Sequence, residues 1–407
     1  MNLCPDPSLW HVAPWFFLLA SFACIGLIPE CKRSRSLALA FVIILIAHHA
    51  VAVCNALGIP IIGADLDAID LHNSAVCWAQ FSSHVRPIPE VKFYSVLMGI
   101  PYRFFGASIF LGSEITIFIF LLFCWVFLKI FQELRIGLNP TPVILFIGLS
   151  PATVVWTSVT LRESFQLFFF ATSIFLFLRF RNEGSKIFLL GGLAAGFGMG
   201  FLQHGLMLFL ICFIPMCVIW SAKGKMRNFL ASGSILSLLF VWFFFPDIFS
   251  GAPSNIFSGE FLSRIKGFRE NLLFSSAPSS AFYGGSLSLT DPISFLFSLA
   301  KIVFFYLFKP FPWDIKNLLD VYGFFEAFSK AVLFILLFLG FRDASKEEQQ
   351  KVVFLLSIYL AMTLLWAVGT VNYGTALRHH IIHNWILIFL GVSGASRIFH
   401  SPEKEKA

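Results

Sequence analysis

Three aspartates, Asp65, Asp67 and Asp70, fall within six residues of the segment GADLDAIDLHNSA, with His72 and Asn73 close behind. If 65–79 is helical, Asp67 and Asp70 stand three apart and share a face. A carboxylate there either acts as a base or holds a divalent cation, or it caps a helix N-terminus and complements its dipole; chemistry is expected of one Asp only. A second group lies in SPATVVWTSVTLRESFQ, where Pro151 interrupts an apolar run, Thr157, Ser158 and Thr160 offer hydroxyls, and Arg162 and Glu163 open the next run. A planar guanidinium pairs with two phosphate oxygens at once, and a helix start beside it adds a positive dipole end. The alternative is an arginine that only steadies a tight turn. A third group, VNYGTALRHHIIHNW, sets Arg378, His379 and His380 at the head of the last apolar run, with Gly374 allowing a close turn and His383 one turn below. His379 and His383 have the i, i+4 spacing of metal ligands, but no HExxH pattern accompanies them, so zinc is not expected.

Other polar residues carry weaker signals. Gln203 and His204 occupy a tight turn, and His48 and His49 sit inside an apolar run. FKPFPWDIKN has two prolines that stop a helix, leaving Lys309 and a Trp at a rigid elbow. FLSRIKGFRE presents Arg264, Lys266 and Arg269 to anionic headgroups or to a substrate, and Arg86, Glu90, Lys92 and Arg103 lie among aromatics as anchors at headgroup level. Glu326 and Lys330, one turn apart inside an apolar run, are expected to pair with each other. The eight Cys are scattered singly, which points to neither a metal site nor disulfides, although Cys4 and Cys77 are candidates to meet outside the membrane.

The elements that must position these groups follow from composition. Of 407 residues, 58% are hydrophobic and 13% charged, with a mean hydropathy of +0.83, which excludes a water-soluble globule. The expectation is one all-α, polytopic integral membrane domain over 1–407, with about eleven transmembrane helices. These lie near 14–30, 36–56, 107–131, 141–159, 163–179, 187–202, 205–221, 228–246, 321–341, 352–371 and 380–397. No basic residue precedes the first run, so it is expected to be a span rather than a cleaved signal. Lys32, Arg33 and Arg35 make the first turn cytoplasmic by the positive-inside rule, and the N-terminus external. A shorter apolar stretch, 293–308, carries Lys301; as a re-entrant or interfacial helix it leaves the later basic loops and the C-terminus cytoplasmic. The outer segments 57–106 and 247–320 then form the active face. The net charge of +7 sits in short loops and reports orientation, so no nucleic-acid partner is expected.

Taken in order, GADLDAIDLHNSA, SPATVVWTSVTLRES, KPFPWD and NYGTALRHH resemble the bacterial polytopic membrane proteins of O-antigen and exopolysaccharide assembly, and the wider GT-C glycosyltransferase class. The likeness covers residues 60–395, though the first loop lacks the paired acids of metal-dependent GT-C enzymes. It implies transfer of sugar or glycan repeat units from a polyprenyl-phosphate or diphosphate donor, on the outer face of a bacterial inner membrane. Bilayer lipids, a lipid-linked donor, a glycan acceptor and glycan-assembly proteins are the partners it implies. Arg162 and Arg378 are expected to converge on the leaving phosphate, with Glu163, Asp70, His204 and Lys309 around the substrate. Asp67 is the expected base, with His379 or His380 as rival or partner, and no cofactor beyond a cation at Asp65, Asp67 and Asp70. No Gly-rich phosphate loop or nucleotide-sugar domain is visible, which favours a lipid-linked donor. The competing expectations are a transporter or flippase of lipid-linked oligosaccharide, which ionisable residues buried across several spans would favour, and a non-catalytic membrane subunit.

Overall fold

The computed structural model describes residues 11–59, 61, 65–81, 92–134, 138–221, 266–267, 269–274, 282, 285–288 and 291–399. Cys4, Arg86, Glu90, Arg264, the run expected at 228–246 and the side chains of Asp65 and Lys92 lie outside the described residues. Apart from one isolated bridge, Phe282 with Asn372, the described architecture is all helix and connection. Two compact units divide it, Met1–Leu210 and Ile211–Ala407.

The first unit holds α1 (Val12–Ile25), α2 (Pro29–Arg33), α3 (Arg35–Ala56), α4 (Asp65–Phe81), α5 (Lys92–Phe105), α6 (Ile109–Leu134), α7 (Pro140–Leu149), α8 (Pro151–Trp156), α9 (Glu163–Glu183) and α10 (Lys186–Leu202). Helix α11 (His204–Ser221) begins in it and ends in the second unit, which also holds α12 (Pro292–Phe308), α13 (Leu318–Phe341), α14 (Lys346–Gly369) and α15 (Tyr373–Phe399). Local chemistry sets several starts. Ser34, Asn139, Asp291, Asn317 and Ser345 each accept a first-turn backbone N–H, with Pro140 and Pro292 at the first helical position. Helix α9 stops at Gly184, whose φ of 75° suits glycine.

Among the described residues seven helices, α3, α6, α9, α11, α13, α14 and α15, are long and apolar enough to cross a membrane, and α1, α7, α10 and α12 are shorter apolar helices. By helix length and hydropathy this is a multi-pass membrane protein. The run near 141–159, which Pro151 is expected to interrupt, forms two short helices. Pro151 lacks an N–H and pushes Ser150 into an extended conformation with ψ 124°, which ends α7 before α8 begins.

In the first unit α6, α9 and α10 pack side by side. The Ser173 hydroxyl of α9 donates to the Gly192 carbonyl of α10 at 2.7 Å, where a Cβ would press on Phe177. In the second unit α13 and α15 approach most closely where Gly340 meets the Gly394 backbone and Gly394 faces the Leu336 carbonyl, the small-residue contact that lets membrane helices close in. The stacked rings of Trp220 and Phe354, 4.0 Å apart, seat the end of α11 on α14.

At the C-terminal ends of α6 and α9 runs a belt of ions. Arg179 donates to Glu133 at 3.1 Å and pairs with Glu183, and Asn182 donates to Glu133 at 2.6 Å. Glu30 of α2 accepts from Lys129 at 2.6 Å and Gln132 at 2.7 Å. Burial alone would raise the Glu30 carboxyl, but these bonds and one from its own backbone hold it below the usual carboxylate range. A carboxyl depressed on folding adds stability above its ordinary range and loses it as pH falls through the folded value. Glu30→Gln is therefore expected to lower the thermal midpoint near neutral pH, with the gap from the wild type closing as the pH falls below the ordinary carboxylate range. A gap that stays constant into acid would contradict the pairing.

Candidate functional site

The acidic segment folds as α4, and its burial pattern sets its orientation. Ala68, Leu71 and Ala75 are buried, whereas Asp67, Asp70 and Asn73 are exposed on the opposite side, so the two acids do share an open face. Helix α5 packs against α4, with Trp78 filling the space that a side chain at Gly99 would need. The other side of α5 rests on the main bundle: Tyr94 lies edge-on to Phe165 of α9, and Phe93 contacts Phe169 of α9 and Phe201 of α10.

One bridge joins α4 to the second sequence motif. His72 Nδ1 and the Tyr102 hydroxyl of α5 are 2.9 Å apart. That hydroxyl and the side chain of Thr160 both crowd the space above Gly112 of α6, which only the absence of a Cβ leaves open. Thr160 belongs to the break between α8 and α9, where Thr157, Ser158, Thr160, Glu163, Ser164 and Gln166 are all buried. Thr157 and Ser158 donate back to the Thr153 and Val154 carbonyls, and Thr160 to Ile109 at 3.4 Å. Half-buried Arg162, just before α9, donates to the Leu202 carbonyl at the end of α10 at 3.3 Å, and Gln166 donates to Gln203 at 2.9 Å. The Ser164 hydroxyl and the Gln166 carbonyl oxygen have no hydrogen-bond partner among the described residues. His72, Tyr102 and Thr160 thus link α4, which bears Asp67 and Asp70, to the α8–α9 break that holds Arg162 and Glu163, and the exposed His204 follows the α10 end. The linked elements offer carboxylates on an open helix face, a guanidinium at a helix start, and buried amide and hydroxyl groups for a polar ligand. Nearer the middle of the same bundle Glu114 of α6, fully buried, meets His49 of α3 at 2.9 Å, while the His48 ring stacks on Phe120 at 4.6 Å.

The remaining motifs meet at one end of the second unit. Pro310 and Leu377 both press on Gly323 of α13, so KPFPWD and NYGTALRHH are neighbours. Lys309 pairs with Asp314 at 3.2 Å and lies over the Phe305 and Phe311 rings. Asp320, buried at the start of α13, accepts from the Tyr373 hydroxyl at 2.5 Å and from two backbone N–H groups. Successive residues of α15 point about 100° apart, which separates the run Arg378, His379, His380. His379, half-buried, bonds Thr370 at 3.1 Å and stacks on Trp366 at 3.9 Å. His380 is buried and faces Lys330 of α13. Arg378 is half-buried.

Arg269, expected to face anionic headgroups or a substrate, is instead fully buried. It donates to the Ala367, Val368 and Thr370 carbonyls, and so closes the negative end of α14. Nothing in the spacing of FLSRIKGFRE separates a capping arginine from a surface one. Tyr102 is equally hidden, because its partner His72 is thirty residues away in sequence. Among the described residues no three His, Cys, Asp or Glu side chains gather as a metal site. No family model, curated protein or solved structure matches the chain.

Removing the Tyr102 hydroxyl with Tyr102→Phe is expected to cost about 1 kcal/mol of stability. Gly112→Val, which must force Tyr102 and Thr160 apart, is expected to cost more, about 1–3 kcal/mol. Thermal unfolding of the purified protein ranks the two, and an unchanged midpoint for Gly112→Val would contradict the bridge.

Proposed function

We propose that this chain is a membrane glycosyltransferase or polysaccharide polymerase, taking sugar or glycan repeat units from a polyprenyl-phosphate or diphosphate donor on the outer face of a bacterial inner membrane. One observation carries the reading: the His72–Tyr102 bond and the close approach over Gly112 join an acid-bearing helix to the turn that holds Arg162. A transferase of this class needs that combination. The acceptor hydroxyl attacks the anomeric carbon, the bond from that carbon to the phosphate oxygen breaks, and the polyprenyl phosphate leaves with the electron pair. Asp67 takes the hydroxyl proton, and Arg162 offsets charge growing on the leaving phosphate. The Phe-rich surfaces of α5, α9 and α10 suit a lipid tail.

Arg378, in the second unit, is the second cation expected to meet the leaving phosphate. Within the second unit Lys309 is paired with Asp314 and His380 faces Lys330; His379 or His380 is the expected rival or partner of Asp67. The topology that goes with this reading has eleven spans, an external N-terminus, a cytoplasmic C-terminus and a re-entrant helix at 293–308. It puts the Glu30 belt inside and the Asp67–Arg162 end outside, in keeping with basic residues on the cytoplasmic side.

A specific observation favours the second reading, a transporter or flippase of lipid-linked oligosaccharide. Ionisable groups are buried across several helices, Glu114 with His49 in the first unit and Lys330 with His380 in the second. Under either reading Arg162 binds the headgroup, but only the enzyme needs Asp67 as a base. With a synthetic polyprenyl-diphosphate sugar and purified protein, Arg162→Ala and Asp67→Asn are each expected to slow glycosidic bond formation by about 10²–10³-fold. Arg162→Lys, which keeps charge but loses the planar fork, is expected to fall between. Wild-type rates in both Arg162→Ala and Asp67→Asn, at equal protein level, would remove the proposed site.

A further inference from the structure

Lys330 lies midway along α13 and is 1% exposed, so its ammonium is met by the protein alone. Its Nζ is 2.5 Å from His380 Nδ1 of α15. The groups around this pair come from every helix packed on it. Glu326, one turn earlier on α13, interacts electrostatically with Lys330 and with Tyr322. Tyr306 of α12 stands edge-on to the His380 ring at 4.2 Å. From α15 itself come His383, with ring centres 6.0 Å apart, and His379, the neighbour in sequence. His383 in turn contacts Thr363 of α14 at 3.1 Å and the Tyr359 ring at 5.0 Å.

Two bases at this separation constrain their protons. An ammonium facing an imidazolium has no lone pair to bond to and repels it, so a hydrogen bond between Lys330 and His380 requires the pair to hold one proton fewer than full protonation. With that proton on Nζ, His380 accepts at Nδ1 and carries its ring proton on Nε2, an atom that is buried without a hydrogen-bond partner among the described residues. Transfer of the proton to Nδ1 leaves a neutral amine and an imidazolium, with no change in the charge of the pair. Glu326 is the adjacent carboxylate that can take it next. Ionisable chains of this kind inside a membrane protein are the usual material of proton relays.

We propose that Lys330 and His380, with Glu326 and His383 beside them, form an intramembrane proton-binding site that holds one exchangeable proton. The site stands independently of any glycan chemistry, and its test uses no glycan. In full-length protein labelled with ¹⁵N at histidine, His380 is assigned by the signal lost in His380→Gln and followed from pH 5 to 9. The ring nitrogens of wild-type His380 are expected to move in one proton step. Lys330→Met and Lys330→Arg are each expected to displace the midpoint by about one pH unit or more, a tenfold change in proton affinity. Arginine keeps the charge but does not give up its proton, so displacement by both separates proton sharing from simple charge. A His380 signal that stays fixed over the whole range overturns the proposal, and so does a midpoint that Lys330→Arg leaves unchanged. The wild-type titration needs neither Lys330 variant, so a fixed His380 signal overturns the proposal even if both of them fail to fold.

Discussion

A bilayer core supplies no water to a polar atom, so an ionisable group inside an apolar helix of this protein has to be met by another side chain or a carbonyl. That constraint selects which helices touch. Glu114 brings α6 to His49 of α3, Lys330 brings α13 to His380 of α15, and Arg269 holds its segment against the open carbonyls of α14. Arg162 does the same for α10 through Leu202, and Asp320 ties the start of α13 to Tyr373 of α15. Glycines at 112, 340 and 394 then allow the close approaches between these partners and their neighbours.

The same constraint explains what could be read from residue order. Long apolar runs with basic residues at their ends announce helices, and Ser34, Asn139, Asp291, Asn317 and Ser345 mark starts because capping is local. The open face of Asp67 and Asp70 was legible from their spacing for the same reason. Partners distant in sequence were not. Spacing pairs Lys330 with Glu326 one turn away, yet the hydrogen bond of Lys330 goes to a histidine fifty residues on. The spacing of His48 and His49 does not show that Glu114 meets His49, nor does that of Arg269 show the carbonyls it caps. Pro151 signalled an interruption, but its full consequence, two helices in place of one span, depends on the extended backbone it imposes on Ser150.

The two polar ends differ in character. In the second unit the basic side chains are engaged: Lys309 with Asp314, Lys330 with His380, and His379 with Thr370 and Trp366. In the first unit α4 carries exposed acids, and the α8–α9 break carries buried hydroxyls and an amide beside a half-buried arginine. A polar ligand with an anionic group has more to bind at the first, which is why the proposed chemistry centres on Asp67 and Arg162. The buried proton site in the second unit suits a device that takes up or passes protons, and it is compatible with either an enzyme or a transporter.

The most direct measurement seals wild-type protein into vesicles with a fluorescent polyprenyl-diphosphate oligosaccharide and an acceptor glycan, and follows both products and sidedness. An enzyme of the proposed kind lengthens the acceptor and releases polyprenyl diphosphate in equal amounts on the face that bears Asp67 and Arg162. Recovery of intact donor, moved to the other leaflet or left where it began, would contradict glycosyl transfer.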